Sequence, residues 1–298
     1  FGVPPLLFVQ VVYGQYFYTS SVLMGGFWIL VIPLLIVGYG LAYLHKLTRA
    51  TRPRPQAWLV ALLALCMLAV GYAYVSNFTL MLTPSRWLAR YSAHPAGGAL
   101  NPGEPTVHPR LLLFLSTGLV TAGLGLAWRG SVLSGWGLAD QGRVAQRLGV
   151  RGMVIGAFLA VVGGIATVVA LPPAPRALLA AGGTPTALTG GVVVFLLLAL
   201  ALARRSVGRA GQRLPMAAGA CLAGSMGCLV IVRDLVRQEY LRPFLSVAAL
   251  PVRPQWGMFA IFAAALVAGL VLLVALAWRA IPAIAAASRS TAPASGGT

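Results

Sequence analysis

Two of the four acidic residues in this 298-residue chain, Asp234 and Glu239, sit in one short stretch with Arg233, Arg237 and Arg242. At helical spacing Asp234 lies three residues before Arg237, so carboxylate and guanidinium share a face. Arg233 and Arg237, four apart, share it as well. The stretch follows a long apolar run, and charges at a membrane boundary are costly unless they pair or serve a site. Two chemistries suit it. The plain one is a set of interface anchors, whose long stems lie along apolar surface while their heads stay in water. The sharper one is a proton-linked site. Asp234 or Glu239 would accept protons, and Arg237, Tyr240 and Tyr18 would donate hydrogen bonds to the carbonyl oxygens of a quinone headgroup.

Metal chemistry has little support in the residue types. His45, His94 and His108 are the only histidines. All three fall at helix ends or in loops. His94, His108 and Glu104 share one loop, but their spacing matches no metal-binding pattern, and no metal site is expected. Cys66, Cys221 and Cys228 each lie in an apolar run, where buried packing is the default. The chain has neither a CxxCH haem-attachment motif nor a CxxC zinc pattern.

The elements that must position these residues follow from composition. With 59% hydrophobic and 9% charged residues, the chain reads as an integral membrane protein with length for several spans. Its net charge of +18 does not mark a nucleic-acid binder. The bases lie in short segments between apolar runs, where membrane proteins carry topogenic charge. Eight apolar segments are expected, at about 5–23, 27–44, 57–82, 111–128, 153–171, 190–203, 215–232 and 256–278. The fold class is therefore all-α, a polytopic transmembrane helix bundle over 1–287, with a disordered Ser/Ala/Gly/Thr-rich tail over 288–298.

Individual segments carry their own expectations. The first holds Gln10, Tyr13, Gln15, Tyr16, Tyr18 and Thr19, and a helix this polar should face other helices rather than lipid. Pro33 should kink the second. Asn77 and Thr79 should hydrogen-bond a neighbouring helix. In the long loop at 83–109, Trp87 with Arg86 and Arg90 suggests a short interfacial helix, and the Pro- and Gly-rich remainder is turn chemistry. Ser116, Gly118, Ala122, Gly123 and Gly125 allow close helix packing.

Basic connections are expected at 45–55, 129–152 and 204–214. Counted by side, these connections and the chain end carry 14 of the 22 basic residues, and the opposite ends carry eight. The richer side is cytoplasmic by the positive-inside rule. Both termini would then be cytoplasmic, and Asp234 would face outward. The chain starts at Phe1 within an apolar segment, and further sequence upstream is expected.

Several stretches resemble subunit I of the cytochrome bd quinol oxidases. Gly2-Val3 through Gly14 to Ser21 is similar to that family's second helix. Trp58-Leu59-Val60-Ala61-Leu62 resembles the start of its fourth, and Asn77 an Asn near that helix's end. Leu100-Asn101-Pro102 precedes a helix with Gly118-Leu119-Val120-Thr121, as before the family's fifth. Arg237-Gln238 resembles the Arg-Gln after its eighth helix, and Asp234 stands where the family has a haem-ligating carboxylate. The order and sidedness of the eight segments fit helices two to nine, covering nearly the whole chain.

The departures concern haem. The family's quinol-binding loop would fall at 172–189, which is short here. The helix-five histidine would fall near Leu113, and the helix-three glutamates near Leu35 and Tyr43. The helix-seven methionine has no counterpart, and the first-helix histidine would lie upstream of Phe1. Haem b needs axial nitrogen or sulfur donors. The resemblance therefore implies a haemless, bd-like membrane subunit of a quinol-linked respiratory complex in a bacterial inner membrane. Its implied partners are other membrane subunits and periplasmic c-type cytochrome subunits, which would carry the haem. Quinone is the one cofactor it would meet, and none is assigned to the chain by itself. Two alternatives remain: a purely structural membrane scaffold, and a small-molecule transporter, against which stands the lack of an inverted repeat or a midplane charge.

Overall fold

The computed structural model describes residues 3–49, 56–250 and 256–290. Ten α-helices follow in order: α1 (Val3–Leu23), α2 (Gly25–Arg49), α3 (Ala57–Met81), α4 (Trp87–Ala93), α5 (Val107–Gly135), α6 (Ala139–Ala170), α7 (Pro173–Ala180), α8 (Thr184–Ser206), α9 (Arg213–Leu241) and α10 (Trp256–Ser290). No strand occurs among the described residues. Seven of the helices, α2, α3, α5, α6, α8, α9 and α10, are long and apolar enough to cross a membrane. The polar α1 is not one of them. The protein is thus an all-α polytopic membrane bundle.

Two compact units divide the chain, one through Val247 and one from Ala248 onward. The second holds α10, an apolar helix with Trp256 at its start and Trp278 further along. Ser288 to Ser290 belong to α10, and the rest of the expected tail lies outside the described residues. So does most of the expected 45–55 connection, which is described to Arg49 in the last turn of α2.

The first unit is built from antiparallel helix pairs, and its tightest pair is α5 with α6. Ser116, Gly123 and Gly130 on α5 recur every seven residues, as do Gly142, Gly149, Gly156 and Gly163 on α6. A seven-residue period keeps one stripe facing the partner when two helices wind left-handed. The stripe is bare backbone. A Cβ at Gly123 would stand 2.6 Å from the Gly149 carbonyl oxygen, and one at Gly130 2.6 Å from that of Gly142. A Cβ at Gly149 would meet the Gly123 oxygen at 2.5 Å, and one at Gly163 the Leu113 nitrogen at 2.9 Å. Between lipid-facing helices, dispersion at such close approach replaces the hydrophobic drive.

That stripe explains a correction. The basic connection expected at 129–152 is not a loop. α5 continues to Gly135 and α6 begins at Ala139. Arg129, Arg143, Arg147 and Arg151 are exposed on helix, while Gly130 and Gly142 keep the backbones together. The turn is a Schellman cap: the Leu138 N–H donates to the Leu133 carbonyl at 3.1 Å and the Gly137 N–H to Ser134 at 3.3 Å. Gly137 takes φ +87 there, the conformation this cap reserves for glycine. Gln146, fully buried, secures the same end. Its Nε2 donates to the Ser131 hydroxyl at 3.0 Å and the Arg209 carbonyl at 3.1 Å, and its Oε1 accepts from the Gly208 N–H at 2.7 Å.

The α8–α9 pair closes over Gly224, which lies against Phe195, and through the Ser225 hydroxyl, which donates to the Val192 carbonyl at 2.8 Å. α8 is longer than its apolar core, taking in Pro185 in its first turn and Arg204 and Arg205 in its last. Both positions favour a helix end. Leu196, Ala199, Ala203, Ala218 and Leu222 then join Val120, Ala127, Val150 and Met153 in one buried cluster that ties the two pairs together. α2 remains helical through Pro33, and a non-helical residue lies within α1, at Tyr13 (φ −116, ψ 24).

Replacing Gly149 by Ala should therefore cost about 1–3 kcal/mol through overpacking, read as a lower unfolding temperature in detergent. Gly118→Ala, with nothing within 4 Å of its Cβ, should be neutral or slightly stabilising, since Ala outranks Gly in a helix interior. Equal effects at the two positions would contradict the backbone-to-backbone contact.

Candidate functional site

α9 runs unbroken to Leu241, so the acid–base stretch forms its last turns. Helical spacing places Arg237 and Gln238 one turn beyond Asp234. The Asp234 Oδ1 accepts from Arg237 Nη1 at 3.2 Å, and Oδ2 accepts from Gln238 Nε2 at 2.7 Å. A third donor comes from α1: the Tyr13 hydroxyl reaches Oδ1 at 3.3 Å. The Arg237 guanidinium also lies over the Tyr13 ring, 4.9 Å from its centroid, a cation–π arrangement. The Arg237 side chain is only 11% exposed and that of Asp234 41%. The cluster is therefore half-open, with its carboxylate on the accessible side.

Neighbouring contacts bind this end of the bundle together. Arg233 lies over Phe78 of α3 at 5.0 Å, and Arg110 of α5 over Tyr240 at 5.6 Å. The Tyr16 hydroxyl donates to the Phe244 carbonyl at 3.0 Å, and its ring meets Trp87 at 5.9 Å. Tyr13, Tyr16, Phe17 and Ser20 form the buried face of α1. The expectation that this polar segment packs on other helices holds for that face.

The long loop between α3 and α5 lies over the ends of α1, α2 and α3. Its α4 is the short helix expected at Trp87, and the Trp87 indole donates to the Leu80 carbonyl at 2.8 Å. The Gly26 N–H donates to the Gly97 carbonyl at 3.0 Å, and the Ala99 N–H to that of Leu23 at 3.1 Å. Gly97 needs to be glycine twice over: its φ is +77, and a Cβ would stand 3.0 Å from the Gly26 nitrogen. Buried Asn101 accepts from Arg90 at 3.4 Å, and its N–H donates to the Ser76 hydroxyl at 2.8 Å. Asn77 donates to Ser21 of α1 at 3.1 Å, the helix-to-helix bond its type implied. Thr79 instead receives the Asn101 amide of the loop at 3.4 Å.

The other candidate residues are more scattered. Glu239 pairs with Arg242 at 3.4 Å, apart from the Asp234 network. The Tyr240 hydroxyl is buried with no hydrogen-bond partner among the described residues. Tyr18 is 72% exposed and is not brought to Asp234. Five residues from Tyr13, it points off the buried face. Glu104 is buried against Arg86 at 3.4 Å and the Thr106 hydroxyl at 3.3 Å, while His108 stacks on Tyr72 and His94 is exposed. Among the described residues, no group of three or more His, Cys, Asp or Glu side chains is placed to hold one metal ion.

Sequence reasoning passed over Tyr13 and Gln238 as partners of Asp234. Gln238 was signalled by its i,i+4 spacing, which suits a carboxylate–amide bond. Tyr13 was signalled by its spacing with Tyr16 and Ser20, although nothing in the sequence says which helix they meet.

Tyr13→Phe keeps the ring over Arg237 and removes one bond to a charged acceptor, and should cost about 1 kcal/mol at this half-open position. Asp234→Ala should cost more, about 2–3 kcal/mol, because it leaves the mostly buried Arg237 without its carboxylate. Tyr18→Phe should change nothing. Thermal unfolding of the three variants in detergent checks the order, and a Tyr18 effect as large as that of Tyr13 would contradict it. No family model, curated protein or solved structure matches the chain.

Proposed function

We propose that this protein is a membrane subunit of a quinol-linked electron-transfer complex in a bacterial inner membrane, with Asp234 at the quinone-facing site. One observation carries the reading. A half-open carboxylate at the end of an apolar bundle is held by a phenol, a guanidinium and an amide, from Tyr13, Arg237 and Gln238. Quinol oxidation needs a group that takes the hydroxyl proton and donors that hold the oxygen as its charge changes. Asp234 takes the first role, and Arg237, Gln238 and Tyr13 take the second. Tyr240, with its unpartnered hydroxyl, is a further donor, and Glu239, paired with Arg242 apart from this network, is the alternative proton acceptor. The electrons pass to haem-bearing partners, namely other membrane subunits and periplasmic c-type cytochromes. The resemblance to bd oxidase subunit I supports this assignment, since the matching stretches include Asp234, Arg237 and Gln238.

The basic count supports an outward-facing Asp234 end and a cytoplasmic α5–α6 turn. A scaffold role is the second reading, and the same hydrogen bonds favour it. Both oxygens of Asp234 already have partners within the chain, so the network also serves as a clip between α1 and α9.

Asp234→Asn separates the two. In the purified complex it should lower quinol turnover by on the order of 100-fold, the lower range for loss of a general base, with haem content unchanged. Unchanged turnover with a lowered unfolding temperature would remove the quinone role and leave the clip.

A further inference from the structure

At the end of the bundle opposite Asp234, a groove of about 410 Å³ opens between α6 and the end of α8. Arg147, Arg151 and Arg204 line it together with Val150, Val154, Ile155 and Val207. Arg147 and Arg151 are one turn apart on α6, and Val150 and Val154 repeat the same spacing beside them. Arg204 comes from the last turn of α8.

None of the three guanidiniums has a hydrogen bond or ion pair among the described residues, whereas nearby Arg143 is paired with Asp140 and Arg209 donates to the Arg205 carbonyl. No acid lines the groove. Three unanswered cations around one concavity make a site for an anion, and guanidinium forks match phosphate oxygens in pairs. The remaining lining is aliphatic. α6 runs inward from this end, so Ile155 stands roughly 12 Å deeper than Arg147 at 1.5 Å per residue. The groove is cationic at its mouth and apolar along its depth.

We infer that this groove is a site for an anionic phospholipid, with the headgroup phosphate among Arg147, Arg151 and Arg204 and an acyl chain along Val150, Val154, Ile155 and Val207. Basic pockets between spanning helices hold acidic headgroups in this manner. A free phosphate would satisfy the arginines but leave the aliphatic wall uncovered. An occupant of this kind would bridge α6 and α8, helices that the buried cluster joins from within, while Gln146 ties α6 to the chain just beyond α8.

The full chain, purified in a neutral detergent, tests this by native mass spectrometry and thermal shift with three probes: dioleoylphosphatidylglycerol, dioleoylphosphatidylcholine and inorganic phosphate. Phosphatidylglycerol should bind at least tenfold more tightly than phosphatidylcholine and raise the unfolding temperature. The variant with Arg147→Gln, Arg151→Gln and Arg204→Gln should lose that preference, while Arg143→Gln should keep it. All four positions are exposed, so folding should survive, and the unfolding temperature without lipid checks that it does. Equal binding of the two lipids, an unchanged preference in the triple variant, or stabilisation by inorganic phosphate equal to that by phosphatidylglycerol would each overturn the lipid site.

Discussion

Asp234 is held by donors that α9 alone could not supply. Its own helix gives Arg237 and Gln238, and α1 gives the Tyr13 hydroxyl and the ring beneath Arg237. In an apolar bundle a carboxylate must be answered by the protein or by water. Answering this one fixes which face of α1 turns inward. Once Tyr13 is placed, Tyr16 and Ser20 follow at helical spacing, and Tyr16 ties the chain beyond α9 back to α1. The charges next to Asp234 extend the arrangement: Arg233 reaches α3 through Phe78, and Arg110 of α5 covers Tyr240. Side chains drawn from α1, α3, α5 and α9 thus meet at one end around charge, beside a buried cluster of Tyr13, Tyr16, Phe17, Met81, Leu82 and Leu241.

The α5–α6 pair is organised by backbone along its length. α5 and α6 approach through glycines every seven residues, and their polar ends are closed by Gln146 and a Schellman turn. At those glycines the two backbones meet directly, and α8 and α9 pack on the pair through the buried cluster of Val120, Val150, Met153, Ala199 and Leu222. The two ends of the bundle differ chemically. One gathers three of the four acids, Glu104, Asp234 and Glu239, into ion pairs. The other gathers unpaired arginines around a groove.

Much of the fold was legible because membrane insertion makes apolar length diagnostic. α3 and α10 begin where the apolar runs begin. Boundaries failed where polar residues continue a helix past its apolar core. Arg129 to Arg151 read as a loop by charge, yet the Gly130–Gly142 contact holds both helices together through it. The glycine heptad was present in the sequence, but small residues read one helix at a time do not show that two stripes face each other. The site was legible on α9, where Asp234, Arg237 and Gln238 are local neighbours. It was not legible across helices, because Tyr13 and Asp234 lie 221 residues apart and only tertiary packing chooses Tyr13 over Tyr18.

If Asp234 takes the quinol proton, quinone must meet the chain at the α1–α9 clip. Photolabelling of the intact complex with an azido-quinone, followed by peptide mapping, addresses that directly. Label should fall on the peptides holding Tyr13 and Asp234–Tyr240 and be displaced by excess quinol. Label confined to partner subunits, or insensitive to quinol, would contradict a quinone site there.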